Sequence, residues 1–216
     1  MIDDYHLEKM IGSGQYGKVY MATNTKTKEV VAIKCISMSK FSQVPKLEEL
    51  TRNEINILSS LKNPNIIQFK EMLRTTNNMY MVYEYCNGGN LEEYLHKSRR
   101  LSEEETWKII KQVINACFSL NKNGILHRDL KLQNILLHNS KIKVADFGFC
   151  KLLKKLTTKT IVGSPIYMAP EILSGKPYNS KADIWSIGII FYELLYGYCP
   201  FEERTMQRLL AKIIRE

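Results

Sequence analysis

The chain has 216 residues, 44% of them apolar and 25% charged, values of an ordinary globular protein that exclude a disordered tract, a collagen repeat or a coiled-coil array. Its five cysteines (Cys35, Cys86, Cys117, Cys150 and Cys199) are scattered without a C-x-x-C pair, which argues against a disulfide framework or a zinc cluster and suits a reducing compartment. The 31 Lys plus Arg outweigh 22 Asp plus Glu by +9, a surplus that fits nucleic acid, anionic lipid, acidic substrates or phosphate ligands and does not choose among them. The N-terminus is acidic and lacks the apolar run of a secretory leader.

In chain order, segments 5–11, 18–23 and 29–36 are rich in β-branched and aromatic residues between turn signals and predict strands. Apolar Leu47, Leu50, Ile55, Leu58 and Leu61 recur at helical spacing and predict a helix over 47–61. Asn63-Pro64-Asn65 breaks the chain, and 66–69 and 79–85 predict two more strands. After the turn signal Asn87-Gly88-Gly89 the pattern becomes mainly helical, with helices expected over 90–96, 102–121 and 181–196. Ser102 and Glu105 have the spacing of a capping box. The apolar stretch 184–201 is interrupted by Gly188, Glu193 and Gly197 and reads as a buried helix, not a membrane span. A small strand-rich lobe (1–85) therefore precedes a larger helical lobe (86–216), an α+β arrangement with a hinge expected near 84–89.

Three features carry chemistry. The run Gly12-Ser13-Gly14-Gln15-Tyr16-Gly17 precedes Val19 on a strand. Glycines let backbone N–H groups approach polyphosphate, and the same run is equally a glycine-rich hairpin turn. The strand continues directly behind it, which disfavours a dinucleotide fold that needs a helix there. Lys34 closes the apolar Val31-Ala32-Ile33 and has Glu54 twenty residues on in the first helix, able to pin its ammonium. Finally, His127-Arg128-Asp129-Leu130-Lys131-Leu132-Gln133-Asn134 is followed by Asp146-Phe147-Gly148 and Ala169-Pro170-Glu171.

With these motifs in this order the sequence resembles the eukaryotic protein kinases over essentially its whole length. The resemblance implies a bilobal fold, with a small antiparallel sheet and one helix followed by a mainly helical lobe. It implies ATP and Mg2+ as cofactors and protein substrates bearing Ser or Thr. Asp129 would orient the attacking hydroxyl, and Asn134 and Asp146 would offer hard oxygens to magnesium. Lys34, held by Glu54, would contact the α- and β-phosphates, and Lys131 would neutralise the transferred group. Lys131, two residues after Asp129, and Gly163-Ser164-Pro165-Ile166-Tyr167 mark the Ser/Thr type. Gly12, Ser13, Gly14 and Gly17 would cover the phosphates. Adenine would lie against Ile11, Val19, Ala32 and Leu136, with Tyr83 at the back, the Glu84 and Cys86 backbone on its edge and Asn90 at the ribose. Phe147, His127, Leu58 and Phe69 would form a stacked spine, and Asp183 would brace the catalytic loop.

The basic stretch 151–160 is either a solvated face or, by resemblance, an activation loop. Thr160 would be phosphorylated, with Thr157 and Thr158 as alternatives, and received by Arg128. An upstream kinase or autophosphorylation would supply the modification. Tyr85 to Gly89, Phe149 after Asp-Phe-Gly and Met168 before Ala-Pro-Glu look most like the autophagy-initiating unc-51-like kinases. Leu132, where relatives usually have Pro, and Tyr83 depart from the family pattern. Calcium-dependent and polo- or aurora-like kinases are the other subfamilies considered. The resemblance also implies that the last helices of the larger lobe are missing, and with them the Arg that pairs with Glu171. Part of the apolar helix 184–195 is then expected to be exposed. A cytoplasmic setting is expected, with neither nucleic-acid partner nor membrane span. A pseudokinase-like or inactive nucleotide-binding scaffold is the competing expectation.

Overall fold

The computed structural model describes residues 2–14, 17–152 and 157–215. Gln15 and Tyr16 of the glycine run and 153–156 of the basic stretch lie outside them. The chain forms two compact units, Met1–Lys62 with Ile67–Asn87 and Asn63–Ile66 with Gly88–Glu216.

The first unit is built on strands β1 (Tyr5–Ser13), β2 (Lys18–Asn24) and β3 (Val30–Ser37), helices α1 (Met38–Gln43) and α2 (Leu47–Ser60), and strands β4 (Phe69–Arg74) and β5 (Asn78–Glu84). The five strands form one antiparallel sheet in the order β1-β2-β3-β5-β4. Val31 and Ile33 of β3 pack with Tyr5, Ala22, Tyr80 and Val82 in an apolar cluster. Strand alternation puts Ala32 and Lys34 on the opposite face. Directly opposed residues share a face, so the register aligns Val19, Lys34 and Met81 in one row and Met21, Ala32 and Tyr83 in the next.

Two sequence expectations change here. The strand expected over 66–69 is displaced to Phe69–Arg74. Ile66 and Ile67 are apolar because they are buried, at 3% and 6% exposure, and not because they pair in this sheet. The unit also holds two helices where one was expected, since α1 buries none of its six residues and so leaves no hydrophobic period in the sequence.

The second unit contains α3 (Leu91–Ser98), α4 (Glu103–Lys122), the short strand β6 (Ile125–Leu126), the hairpin β7 (Ile135–His138) and β8 (Lys141–Val144), β9 (Lys151–Leu152), α5 (Pro170–Leu173), α6 (Lys181–Tyr196) and α7 (Met206–Arg215). Segment 63–66 belongs with it because Asn65 is bonded there: its amide donates to Gln112 (3.0 Å) and to the Ile142 carbonyl (3.1 Å), and its carbonyl accepts from Val144 N–H (2.8 Å). Helix α4 begins as expected, with Ser102 Oγ accepting from Glu105 N–H at 3.2 Å. Among the described residues no bond from Ser102 N–H to the Glu105 side chain completes the capping box. The Glu105 carboxylate accepts from the Tyr94 hydroxyl instead, a bond that is the first cause raising the phenol pKa.

The apolar helix α6 spans 181–196 as predicted and buries Ile187, Ile189, Ile190 and Leu194. Ile184 is 59% exposed, in line with the expected partial exposure. No described helix is long and apolar enough to cross a membrane.

Candidate active site

The sequence-predicted residues divide between the two units. In the first, Gly14 N–H donates to the Gly17 carbonyl at 2.9 Å, holding the end of β1 beside the start of β2. Gly17 cannot carry a side chain: a Cβ there would lie 2.4 Å from the Cys35 carbonyl oxygen. Val19, Ala32 and Lys34 share one sheet face, and Ile11, toward the end of β1, is 40% exposed. Glu84 closes β5, and Cys86 follows, half-buried.

Lys34 and Glu54 meet as expected. The ammonium donates to Oε2 at 2.9 Å and to Oε1 at 3.2 Å, and the carboxylate is nearly enclosed. A buried carboxylate stripped of its cation costs about 3–5 kcal/mol, so each partner fixes the other. Tyr83 adds a contact that spacing did not reveal, its hydroxyl donating to Glu54 Oε1 at 2.8 Å.

In the second unit the β7–β8 register brings the proposed metal ligands together. Ile135 opposes Val144, and Ala145 N–H donates to the Asn134 carbonyl at 2.8 Å, so Asn134 and Asp146 flank the open end of one hairpin. Asn134 Nδ2 donates to the Asp129 carbonyl (2.8 Å) and to Asp129 Oδ2 (3.0 Å). The amide nitrogen is thereby engaged, and the amide oxygen is the atom that could accept a cation. Asp146 is exposed and takes a left-handed φ of 61°.

Among the described residues no group of three or more His, Cys, Asp or Glu could hold a metal by itself. One amide oxygen and one exposed carboxylate fit magnesium, which binds through one or two protein oxygens and completes its shell with phosphates and water.

Asp129 is buried and held on both oxygens. Oδ1 accepts from the Ser164 N–H and hydroxyl, each at 2.9 Å. Oδ2 accepts from Asn134 and from the Lys131 ammonium at 2.9 Å. Lys131 also donates to Ser164 Oγ at 2.9 Å. Gly163 makes this approach possible: its φ is 108°, and a Cβ would sit 2.2 Å from the Arg128 carbonyl oxygen.

Beneath lies the support of the loop. Asp183 accepts from His127 N–H (2.9 Å) and Arg128 N–H (3.0 Å), holding Arg128 at a left-handed φ of 69°. Burial pushes the Asp183 carboxyl up, opposed by His127 and Arg128. His127 Nε2 lies 3.1 Å from the Ala145 carbonyl and Nδ1 accepts from Asp129 N–H at 3.4 Å, which fits the Nε2–H tautomer. The His127 and Phe147 rings meet edge to face at 5.0 Å.

Three expectations gain detail. Asn90, expected at the ribose, caps α3: its Oδ1 accepts from Glu93 N–H at 2.9 Å and its amide donates to Glu93 Oε1 at 3.1 Å. It also bridges to Leu136, which keeps these two pocket candidates adjacent. Thr158 is buried with its hydroxyl bonded to Lys151 (2.9 Å), whereas Thr157 and Thr160 are exposed. Arg128 Nε donates to the Phe149 carbonyl at 2.6 Å, while its buried Nη1 has no partner among the described residues. Glu171 pairs with no cation among the described residues.

Sequence reasoning missed Glu193. Burial raises its carboxyl pKa, and it accepts from the Tyr167 hydroxyl at 2.7 Å. A groove of about 400 Å³ beside Lys131 and Ser164 was also missed; Ile166, Glu203, Met206 and Leu209 line it. Apolar periodicity in α7 was the signal for the second.

The ordered lysine–glutamate pair and the aspartate–lysine–asparagine loop define a protein kinase domain. The family model for that domain matches residues 5–216, and the chain belongs to the protein kinase domain family. It is 41% identical over 212 residues to human NUAK family SNF1-like kinase 1, covering 97% of this chain and 32% of that protein. Human serine/threonine-protein kinase ULK1 is 38% identical over 218 residues, 95% of this chain and 20% of that protein. Serine/threonine-protein kinase ATG1b of Arabidopsis thaliana is 39% identical over 220 residues, 100% of this chain and 31% of that protein. The chain thus spans about a third or less of these relatives.

Proposed function

We propose that this chain transfers the γ-phosphate of Mg·ATP to Ser or Thr hydroxyls of protein substrates. The observation that carries the reading is the arrangement on Asp129. Its Oδ1 already accepts a serine hydroxyl, that of Ser164, and a substrate hydroxyl needs the same contact. Lys131 stands 2.9 Å from the other carboxylate oxygen, where a cation offsets charge developing on the transferred group.

Magnesium, held by Asn134 and Asp146, would supply Lewis-acid charge neutralisation on the phosphates. Lys34 engages the α- and β-phosphates, with Glu54 fixing its direction. Gly12, Ser13, Gly14 and Gly17 cover the phosphates; Ile11, Val19, Ala32, Glu84 and Cys86 are the first unit's own candidates for the nucleoside, and Leu136 and Asn90 are the second unit's. The groove lined by Ile166, Met206 and Leu209 suits an extended peptide carrying an apolar side chain near the acceptor.

Exposed Thr160 is the phosphorylation site, by an upstream kinase or by the chain itself, and Arg128 Nη1, unpartnered among the described residues, supports a charge-assisted bond to that phosphate. We assign the chain to cytoplasmic signalling, in autophagy initiation. The similarity to ULK1 and ATG1b supports that assignment, and the similarity to the NUAK kinase leaves it to be tested.

Phosphoamino-acid analysis of a generic protein substrate tests the reaction class. Phosphoserine and phosphothreonine are expected. Phosphotyrosine alone would overturn the acceptor assignment, and Mg·ATP binding without product would favour a scaffold.

A further inference from the structure

Tyr83 stands where the family pattern gives no reason for a phenol. We propose that it is a positioning residue for the reaction: its hydroxyl locks the Glu54 carboxylate that aims Lys34. This rests on the reading of Lys34 as the phosphate-contacting cation.

The argument begins with the ring. Tyr83 lies on β5 opposite Ala32 and is 8% exposed. Phe69 packs on it edge to face, with centroids 5.7 Å apart and planes at 72°. The hydroxyl is therefore carried by a rigid strand and a packed ring. It meets Glu54 Oε1 at 2.8 Å, whereas the alternative acceptor, Met81 Sδ, is 3.6 Å away and weaker.

The carboxylate needs this second donor. Glu54 is 4% exposed, so little water completes its shell. Lys34 leans toward Oε2 at 2.9 Å and lies farther from Oε1, at 3.2 Å. With the lysine as sole partner the carboxylate could rotate about its last bond and carry the ammonium with it. A donor on Oε1 from the sheet fixes the carboxylate plane. It also ties α2 to the sheet at a point independent of Lys34, from the neighbouring row of the same face. A phenylalanine or methionine would fill the same space and do neither.

The test is Tyr83→Phe in the full chain, with Mg·ATP affinity by calorimetry and steady-state kinetics in both substrates. The expected result is a loss of about ten- to a hundredfold in kcat/KM for ATP, the size of one hydrogen bond to a buried charge. The KM for the protein substrate should stay unchanged. Tyr83→Met, which keeps apolar volume without the hydroxyl, should reproduce the loss. In a Glu54→Ala background Tyr83→Phe should weaken Mg·ATP binding no further, because its target is gone.

A folded Tyr83→Phe with ATP kinetics within twofold of wild type would overturn the proposal, as would an equal loss with Glu54 absent. A wild-type chain that transfers no phosphate would instead overturn the kinase reading, and this inference with it.

Discussion

Asp183→Asn is the substitution from which the geometry predicts most. The buried carboxylate gives one oxygen to His127 N–H at 2.9 Å and the other to Arg128 N–H at 3.0 Å. An asparagine keeps one acceptor and turns an NH2 toward the second N–H, so one charge-assisted bond is replaced by two facing donors. A hydrogen bond to a charged group contributes about 1.5–3 kcal/mol, and a buried N–H left without an acceptor costs about 1–3 kcal/mol. Arg128, at φ 69°, loses its restraint, and a non-glycine residue in that region carries roughly 1–2 kcal/mol of strain.

These terms describe one event and do not simply add. Burial also opposes the Asp183 charge, so neutralising it recovers part of the loss. The net destabilisation is about 2–4 kcal/mol, toward the lower end, which for a chain of this size lowers Tm by roughly 4–16 °C. Turnover should fall further than folding accounts for, because Asp129 follows Arg128 directly. Differential scanning calorimetry beside initial rates, taken well below the variant's Tm, separates the two effects. A variant that melts and turns over like wild type would refute the account of the loop.

Two further outcomes follow from the same geometry. Gly163→Ala places a Cβ 2.2 Å from the Arg128 carbonyl at φ 108°, so the variant should be destabilised and should lose most activity, readable by thermal melts and initial rates; unchanged rates would contradict the contact. Burial, with the Glu193 carboxylate next in order, pushes the Cys199 thiol up to about 12; the native chain should resist iodoacetamide there at neutral pH, with labelling rising about tenfold per pH unit below that value. Because this folded pKa exceeds the unfolded value, near 8.5, the thiol's contribution to stability is intact below pH ~8.5 and declines from there toward pH ~12, which melts at pH 7 and pH 10 would show.

How much of this the sequence disclosed depends on which physical signal each element carries. Helix α6 is legible to the residue because its apolar positions are dense and Gly197 ends it at a left-handed φ of 82°. Strand β4 is not, because it lies at the sheet edge and keeps none of its six residues fully buried, whereas the preceding Ile66 and Ile67 are buried without pairing in that sheet. Asp129, Lys131 and Asn134 stand out only through the ordered set of motifs that resembles the protein kinases, because isolated polar loop residues read as a solvated face.

The contact of Tyr83 with Glu54 was out of reach. The residues are 29 apart, and a tyrosine on an apolar strand reads as core. Asn90 has a role that its position did not disclose: besides the ribose contact that the resemblance implies, its side chain caps α3.

The central claim is phosphoryl transfer through Asp129. It is tested most directly by following labelled γ-phosphate from Mg·ATP into a Ser/Thr protein substrate, with wild type beside Asp129→Asn. The account predicts transfer by wild type and its near-complete loss in the variant, with Mg·ATP affinity preserved. Equal transfer by both proteins, or none by a wild-type chain that binds Mg·ATP, would contradict it.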